Sequence, residues 1–170
     1  MKLYVLYVII DTESKIMLYF IQGVIYMKIS TKGRYALRMM IDLSQHSSDE
    51  FVALKDIAER QGISKKYLEQ IVPLLNGAGM LSTNRGYQGG YKLARKPKDY
   101  TVAEILRVTE GNLAPVACLD GDPANCERYS ECMTIDIWEG LYKVITEYLS
   151  GITLQDILDK NAVNGGDYSI

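Results

Sequence analysis

Residues 54–75 read LKDIAERQGISKKYLEQIVPLL. Leu54, Ile57 and Ala58 fall on one helical face, Gly62 stops that helix, and Ser64 caps the next. In the second helix Leu68, Ile71 and Leu75 recur at three- and four-residue steps. A helix, a tight turn through Gly62 and Ile63, and a capped second helix with a polar start predict a helix-turn-helix. The opposite face of the second helix carries Lys65, Lys66, Glu69 and Gln70. Gln pairs with an adenine edge, Glu accepts from the cytosine amino group, and Lys neutralises phosphate. Taken alone, these four residues describe a solvated helix face equally well. Pro73 lies inside the second helix and clashes with the carbonyl of Glu69, which predicts a kink.

What lies on either side decides between those readings. Upstream, Ser30 or Thr31 caps a helix through about Gln45 with Ala36, Met39, Met40 and Leu43 on one face. Residues 51–53 are extended. Downstream, Met80 to Asn84, the glycine-rich turn RGYQGG (85–90) and Tyr91 to Ala94 predict strand, turn and strand, a wing beside the second helix. Gly86, Gly89 and Gly90 permit positive φ or close approach, and Arg85 stands where a side chain enters a minor groove. RGYQGG has neither phosphate-loop nor dinucleotide spacing, and no helix follows it. The candidate DNA-contacting set is Lys28, Ser64, Lys65, Lys66, Tyr67, Glu69, Gln70, Arg85, Gly86 and Tyr87.

Charge divides the chain. Its net charge is only -2, yet residues 27–98 hold 13 Lys and Arg against 6 Asp and Glu, while residues 99–170 hold 4 against 13. One basic module joined to one acidic module fits a nucleic-acid partner at one end only. At 170 residues, 48% apolar and 24% charged, the chain is long enough for one ordinary domain with a helical arm. It has no apolar stretch of bilayer length, so a cytoplasmic, non-membrane protein is expected. Residues 1–26 stand apart: LYVLYVII and IMLYFIQGVIY predict a hairpin or extra strand, and Met27 opens a new pattern that reads as an alternative start. The expected division is 1–26 as extension or hairpin, 27–98 as winged helix-turn-helix, 99–160 as cysteine loop and dimerisation helices, and 161–170 as a flexible tail.

Cys118, Cys126 and Cys132 are the only cysteines and fall within fifteen residues, among Gly121, Asp122, Pro123 and Asn125. Three thiols set among charges and turn residues predict a soft metal or cluster site; three unpaired structural thiols are the alternative. An odd number argues against a closed disulfide framework. Thr101 and Glu104 predict a capping box for a helix ending before Gly111. Past the cysteines, Ile135, Trp138, Leu141, Ile145 and Leu149 predict an amphipathic helix with more apolar face than an isolated arm can expose. Two such helices crossing make a twofold dimer that presents paired recognition helices to a pseudo-palindromic operator. Thr153 with Asp156 caps a short last helix. One histidine and no paired-acid or Cys–His constellation argue against an enzyme. The fold class is therefore mainly α with a small β wing: a winged helix-turn-helix domain plus a long dimerisation helix.

The motifs MKISTKGRYAL (27–37), IAERQGIS (57–64), YLEQ (67–70), RGYQGGY (85–91), YTVAEILRVTEG (100–111) and ITLQDIL (152–158) resemble the winged-helix regulators that include IscR, NsrR and CymR. The resemblance spans about residues 27–160. It implies that Glu69, Gln70 and Arg85 contact DNA and that Cys118, Cys126 and Cys132 hold an iron-sulfur cluster, 2Fe-2S or 4Fe-4S. The spacing Cys-x7-Cys-x5-Cys is two residues longer in its first gap than in IscR, and Ile135 stands where IscR has a ligating histidine. Arg34 stands where NsrR-like proteins supply an aspartate from the partner subunit, and the only histidine, His46, lies at a helix end. The fourth ligand is left among Asp120, Asp122, Glu127, Glu131, Asp136, a thiol cofactor and water. The tail NGGDYSI, with Tyr168 and the terminal Ile170, resembles the serine acetyltransferase tail that enters cysteine synthase. A CymR-like regulator without a cluster, acting through a complex with cysteine synthase, is thus the alternative to a cluster sensor; a disordered tail is the plain reading of those residues.

Overall fold

A computed structural model describes residues 6–10, 16–20, 29–46, 50–86, 89–121 and 126–163. Near the N-terminus, β1 (Leu6–Ile10) pairs antiparallel with β2 (Ile16–Phe20), Val8 opposite Leu18, as the two apolar runs predict. The remaining elements are α1 (Thr31–His46), α2 (Leu54–Gln61), α3 (Lys65–Gly77), β3 (Leu81–Asn84), β4 (Gly90–Leu93), α4 (Val102–Glu110), α5 (Ile135–Ser150) and α6 (Leu154–Val163). Mainly helical with a small antiparallel wing, this is the expected fold class. No described helix is long and apolar enough to cross a membrane.

Local chemistry sets the boundaries. The cap of α1 is Ser30 rather than Thr31: its hydroxyl accepts from the amides of Lys32 at 3.1 Å and Gly33 at 3.4 Å. Gly62 ends α2 in the left-handed region at φ 60°, so its amide reaches back to the last carbonyls of that helix. The helix α3 continues through Pro73 to Gly77. Thr101 caps α4 by accepting from the Glu104 amide at 3.1 Å, but the Glu104 carboxylate turns away to Arg95 at 2.6 Å. Only half of the expected capping box therefore forms, because a guanidinium is the stronger partner for the carboxylate. At α6 the box is complete: Thr153 Oγ1 accepts from the Asp156 amide at 3.1 Å, and Asp156 Oδ2 accepts from the Thr153 amide at 2.8 Å.

The main core is one cluster around α1, which contributes Ala36, Met39, Met40 and Leu43. Ile57 of α2, Leu68, Ile71 and Leu75 of α3, Met80 and Leu81 before and in the wing, Ile105 of α4 and Leu154 of α6 complete it. Tyr100 is fully buried there; its hydroxyl donates to the Met80 carbonyl at 2.8 Å and accepts from the Arg95 amide at 2.8 Å, so the phenol fixes both ends of the wing. Val102, Leu106 and Leu113 form a smaller cluster against Tyr142 and Leu149 of α5.

Candidate nucleic-acid interface and cysteine loop

Ser64, extended at φ -62° and ψ 135°, caps α3 by accepting from the Tyr67 amide at 3.2 Å. With Leu68, Ile71, Val72 and Leu75 buried, the helix leaves Lys65, Lys66, Glu69 and Gln70 exposed together on the outer face. Lys65 and Glu69 stand 3.6 Å apart and are each more than half exposed, so their pairing is weak and the Glu69 carboxylate is free to exchange partners. Tyr67, placed by the sequence among the contact residues, packs its ring edge-on against Tyr35 with centroids 5.2 Å apart.

A buried polar network fixes the turn between α2 and α3. Asp42 is fully buried on α1 and accepts from Arg60 Nε at 3.0 Å, Arg60 Nη2 at 2.7 Å and Gln61 Nε2 at 3.0 Å. Its hydrogen bonds to the Asp42 carboxylate hold the Arg60 guanidinium even more firmly protonated than usual, against a smaller opposing effect of burial. Arg38 donates to Gln61 Oε1 at 3.2 Å and to the Gln61 carbonyl, and its guanidinium lies 5.5 Å from the Tyr35 ring centroid. Asp42 is buried, Arg38 and Gln61 are half-buried and Arg60 lies at the surface, and none of them is among the contact residues expected from the sequence. The available signal was an aspartate on the same face as Met39 and Leu43, since a charge on a buried face requires a partner.

In the wing, Arg85 and Gly86 are exposed, and Gly86 adopts φ 128°, where a side chain would be strained. Gly90 is required at the base: a Cβ there would stand 2.4 Å from the Val52 carbonyl oxygen. That closeness lets Val52 and Tyr91 exchange two backbone hydrogen bonds at 2.9 Å, adding the expected extended stretch before α2 to the wing. Thr83 Oγ1 donates to Asn76 Oδ1 at 2.9 Å and ties β3 to the end of α3. Lys28 and Tyr87 lie outside the described residues, as do Tyr168 and Ile170.

The cysteine loop connects α4 to α5. Cys118 sits in a short 3-10 turn, Cys132 stands three residues before α5, and all three thiols are free and half-buried. Thr134 Oγ1 lies 3.4 Å from Cys132 Sγ; that hydrogen bond first, then the Thr134 and Ile135 amides and Arg128, draws the thiol below its ordinary value. Free, half-exposed thiols with one held toward thiolate suit the donor chemistry of a soft centre. Among the described residues, however, no three His, Cys, Asp or Glu side chains are gathered as a metal site. Asp120, Glu127, Glu131 and Asp136 are exposed around the loop, and Asp122 lies outside the described residues. His46 is at the far end of α1, its Nδ1 2.9 Å from the Asp42 carbonyl, and Arg34 is exposed with its guanidinium on Thr31.

Two contacts hold the loop against α5. Asn112 Nδ2 donates to the Leu119 carbonyl at 3.0 Å, and Asn112 Oδ1 accepts from the Tyr142 hydroxyl at 2.6 Å. The Tyr129 hydroxyl donates to the Glu139 carboxylate, which raises the phenol above its ordinary value. A cavity of about 490 Å³ lies between, lined by Leu119, Gly121, Tyr129, Glu139, Tyr142 and Thr146 among others. No residue of α5 is buried. Of the apolar face expected from the sequence, Leu149 packs inward and Leu141 is exposed; the outward row is Ile137, Leu141, Val144 and Tyr148, at alternating four- and three-residue steps.

A model of the Rrf2 family, described as an iron-dependent transcriptional regulator, matches residues 29–160. Protein rrf2 of Nitratidesulfovibrio vulgaris is 40% identical over 144 residues, covering 81% of this chain and 95% of that protein. The solved structure of T. potens IscR is 42% identical, covers 84% of this chain and 93% of its own, and superposes with a TM-score of 0.66. That of CymR, the global cysteine regulator of B. subtilis, is 38% identical, covers 78% and 97%, and has a TM-score of 0.64. Matched by that family model over most of its length and by these relatives at 38–42% identity, the chain belongs to the Rrf2 family of transcriptional regulators.

Proposed function

We propose that the chain is a dimeric, operator-binding regulator that senses iron-sulfur, redox or cysteine status through Cys118, Cys126 and Cys132. The observation behind the DNA contacts is the joint exposure of Lys65, Lys66, Glu69 and Gln70 on a capped helix, beside a wing tip bearing Arg85. Phosphates are met by the lysines, base edges by Glu69 and Gln70, and the minor groove by Arg85 of the wing. The outward row on α5, paired with that of a second copy, would place two recognition helices on successive major grooves. The three thiols would hold an iron-sulfur cluster, with the fourth ligand unassigned, and the cluster would supply a redox- and oxygen-sensitive centre. The protein's own part is to keep the thiols on one tethered loop, with Cys132 poised toward thiolate by Thr134.

Gel shifts across a salt series test the first part: log affinity must fall steeply with log salt. Glu69→Ala should relax base preference at one position by about 1–3 kcal/mol, whereas Lys66→Ala should weaken all duplexes alike and reduce the salt slope by about 1. An anaerobic absorbance spectrum with iron and sulfide assays tests the second. A colourless, iron-free protein that still regulates would favour the CymR-like alternative, in which Tyr168 and Ile170 engage cysteine synthase. The 38% identity to CymR supports that reading, and deletion of Ile170 should then abolish co-purification.

A further inference from the structure

The three residues at the head of the cysteine loop touch three parts of the molecule. Glu110 is the last residue of α4, and its Oε1 accepts from Ser30 Oγ at 2.7 Å. The same hydroxyl oxygen caps α1 through the amides of Lys32 and Gly33, so the Glu110 carboxylate fixes which way the cap's proton points and places an anion at the positive end of the helix. Room for it exists because residue 33 is a glycine: a Cβ there would stand 2.2 Å from Glu110 Oε1 and 3.1 Å from Leu106 Cδ2. Gly111 then turns the chain at φ 87°. Asn112 bonds the carbonyl of Leu119, the neighbour of Cys118, and the Tyr142 hydroxyl on α5.

We propose that Glu110 is the positioning residue through which the cysteine loop acts on the DNA-binding head, an inference that rests on the sensing role proposed above. The route is short. A change in the loop moves Asn112 and with it Glu110, which loosens or seats the Ser30 cap of α1. That helix carries Tyr35 and Arg38, the side chains that orient α3 through Tyr67 and Gln61. Such a coupling shows itself as an energetic communication between its two ends, beyond their spatial contiguity.

The full-length protein, purified without metal, is titrated with Co(II), whose thiolate charge-transfer absorption reports loop occupancy independently of DNA. Affinity for a duplex selected from a random pool is then measured with and without Co(II). Wild type should show a several-fold ratio between the two affinities. Glu110→Ala and Ser30→Ala should bind Co(II) with the same spectrum while the ratio falls to about one, and the double variant should lose nothing more. Glu110→Gln, which retains an acceptor for Ser30, should keep most of the ratio. Gly33→Ala should mimic Glu110→Ala by displacing the carboxylate. An Glu110→Ala protein that binds DNA more weakly with and without Co(II) but keeps the wild-type ratio would show a purely structural contact and overturn the proposal. A wild-type ratio of one, with Co(II) demonstrably bound, would overturn the sensing role itself and the link with it.

Discussion

The head and the arm of this molecule solve the burial problem differently. In the head, α1 buries six residues, and even its buried charge, Asp42, is satisfied by three side-chain donors from the end of α2. In the arm, α5 is just as long, sixteen residues, yet buries none and presents Ile137, Val144 and Tyr148 at more than 60% exposure. The head carries its stabilising contacts within one chain, whereas the arm leaves its apolar area for another surface. One region is closed on itself, and the other presents a surface still to be covered.

The sharpest way to break the head is Asp42→Ala. It removes the acceptor of three hydrogen bonds, two from the Arg60 guanidinium and one from Gln61, so chemical denaturation should show a loss of about 3 kcal/mol. Gly90→Ala should cost about 2 kcal/mol by pushing the wing base off the Val52 carbonyl, and it should weaken DNA binding further than that loss of stability explains. Leu141→Asp addresses the arm: sedimentation should show a monomer, while protection of the α1 amides from deuterium exchange changes by less than about 0.5 kcal/mol. A large loss of head protection would mean that the two regions are not separable as described.

The smallest effect is expected at Asp156, whose carboxyl is held below its ordinary value of 3.8 by hydrogen bonds from the Thr153 hydroxyl and amide. A lowered folded-state value means that this group stabilises the ionised, folded protein at neutral pH and ceases to do so as pH falls through that lowered value. Asp156→Asn should therefore unfold earlier than wild type at pH 7, and the gap in midpoint should close in acid below the ordinary carboxylate range.

Where a residue's role depends on its own helix or turn, it was legible in the sequence. Ser64, Gly62 and the 85–90 turn announce the helix-turn-helix and wing because capping, left-handed φ and hairpin closure are local demands. Thr153 and Asp156 are legible for the same reason. The Thr101–Glu104 pair misled by half because Arg95, nine residues away, competes for the carboxylate. On α5 the apolar residues nearly encircle the helix, so periodicity cannot say which row faces inward; Leu113 and α4 decide that by covering Tyr142 and Leu149. The cysteine loop has no periodicity at all, so the sequence carries no signal for how its three thiols are placed in space. Tyr35, Arg38 and Asp42 carry no local signal, because their partners Tyr67, Gln61 and Arg60 are brought close only by folding.

The arm leaves the head and returns to it at one place. The Val102 amide donates to the Ile152 carbonyl at 2.9 Å, the Leu154 amide donates to the Tyr100 carbonyl at 3.1 Å, and Thr101 bridges Thr153. Some fifty residues of chain thus begin and end at a single doorway, which Leu154 closes by entering the core. Between those two points α4 is built into the head through Ile105 and the Glu110–Ser30 bond, whereas the described residues of the cysteine loop beyond it contribute nothing to the main core, so the loop's length and cysteine spacing can change while the doorway stays shut. A head of this design tolerates edits in the loop that leave Tyr100, Thr101 and Leu154 in place.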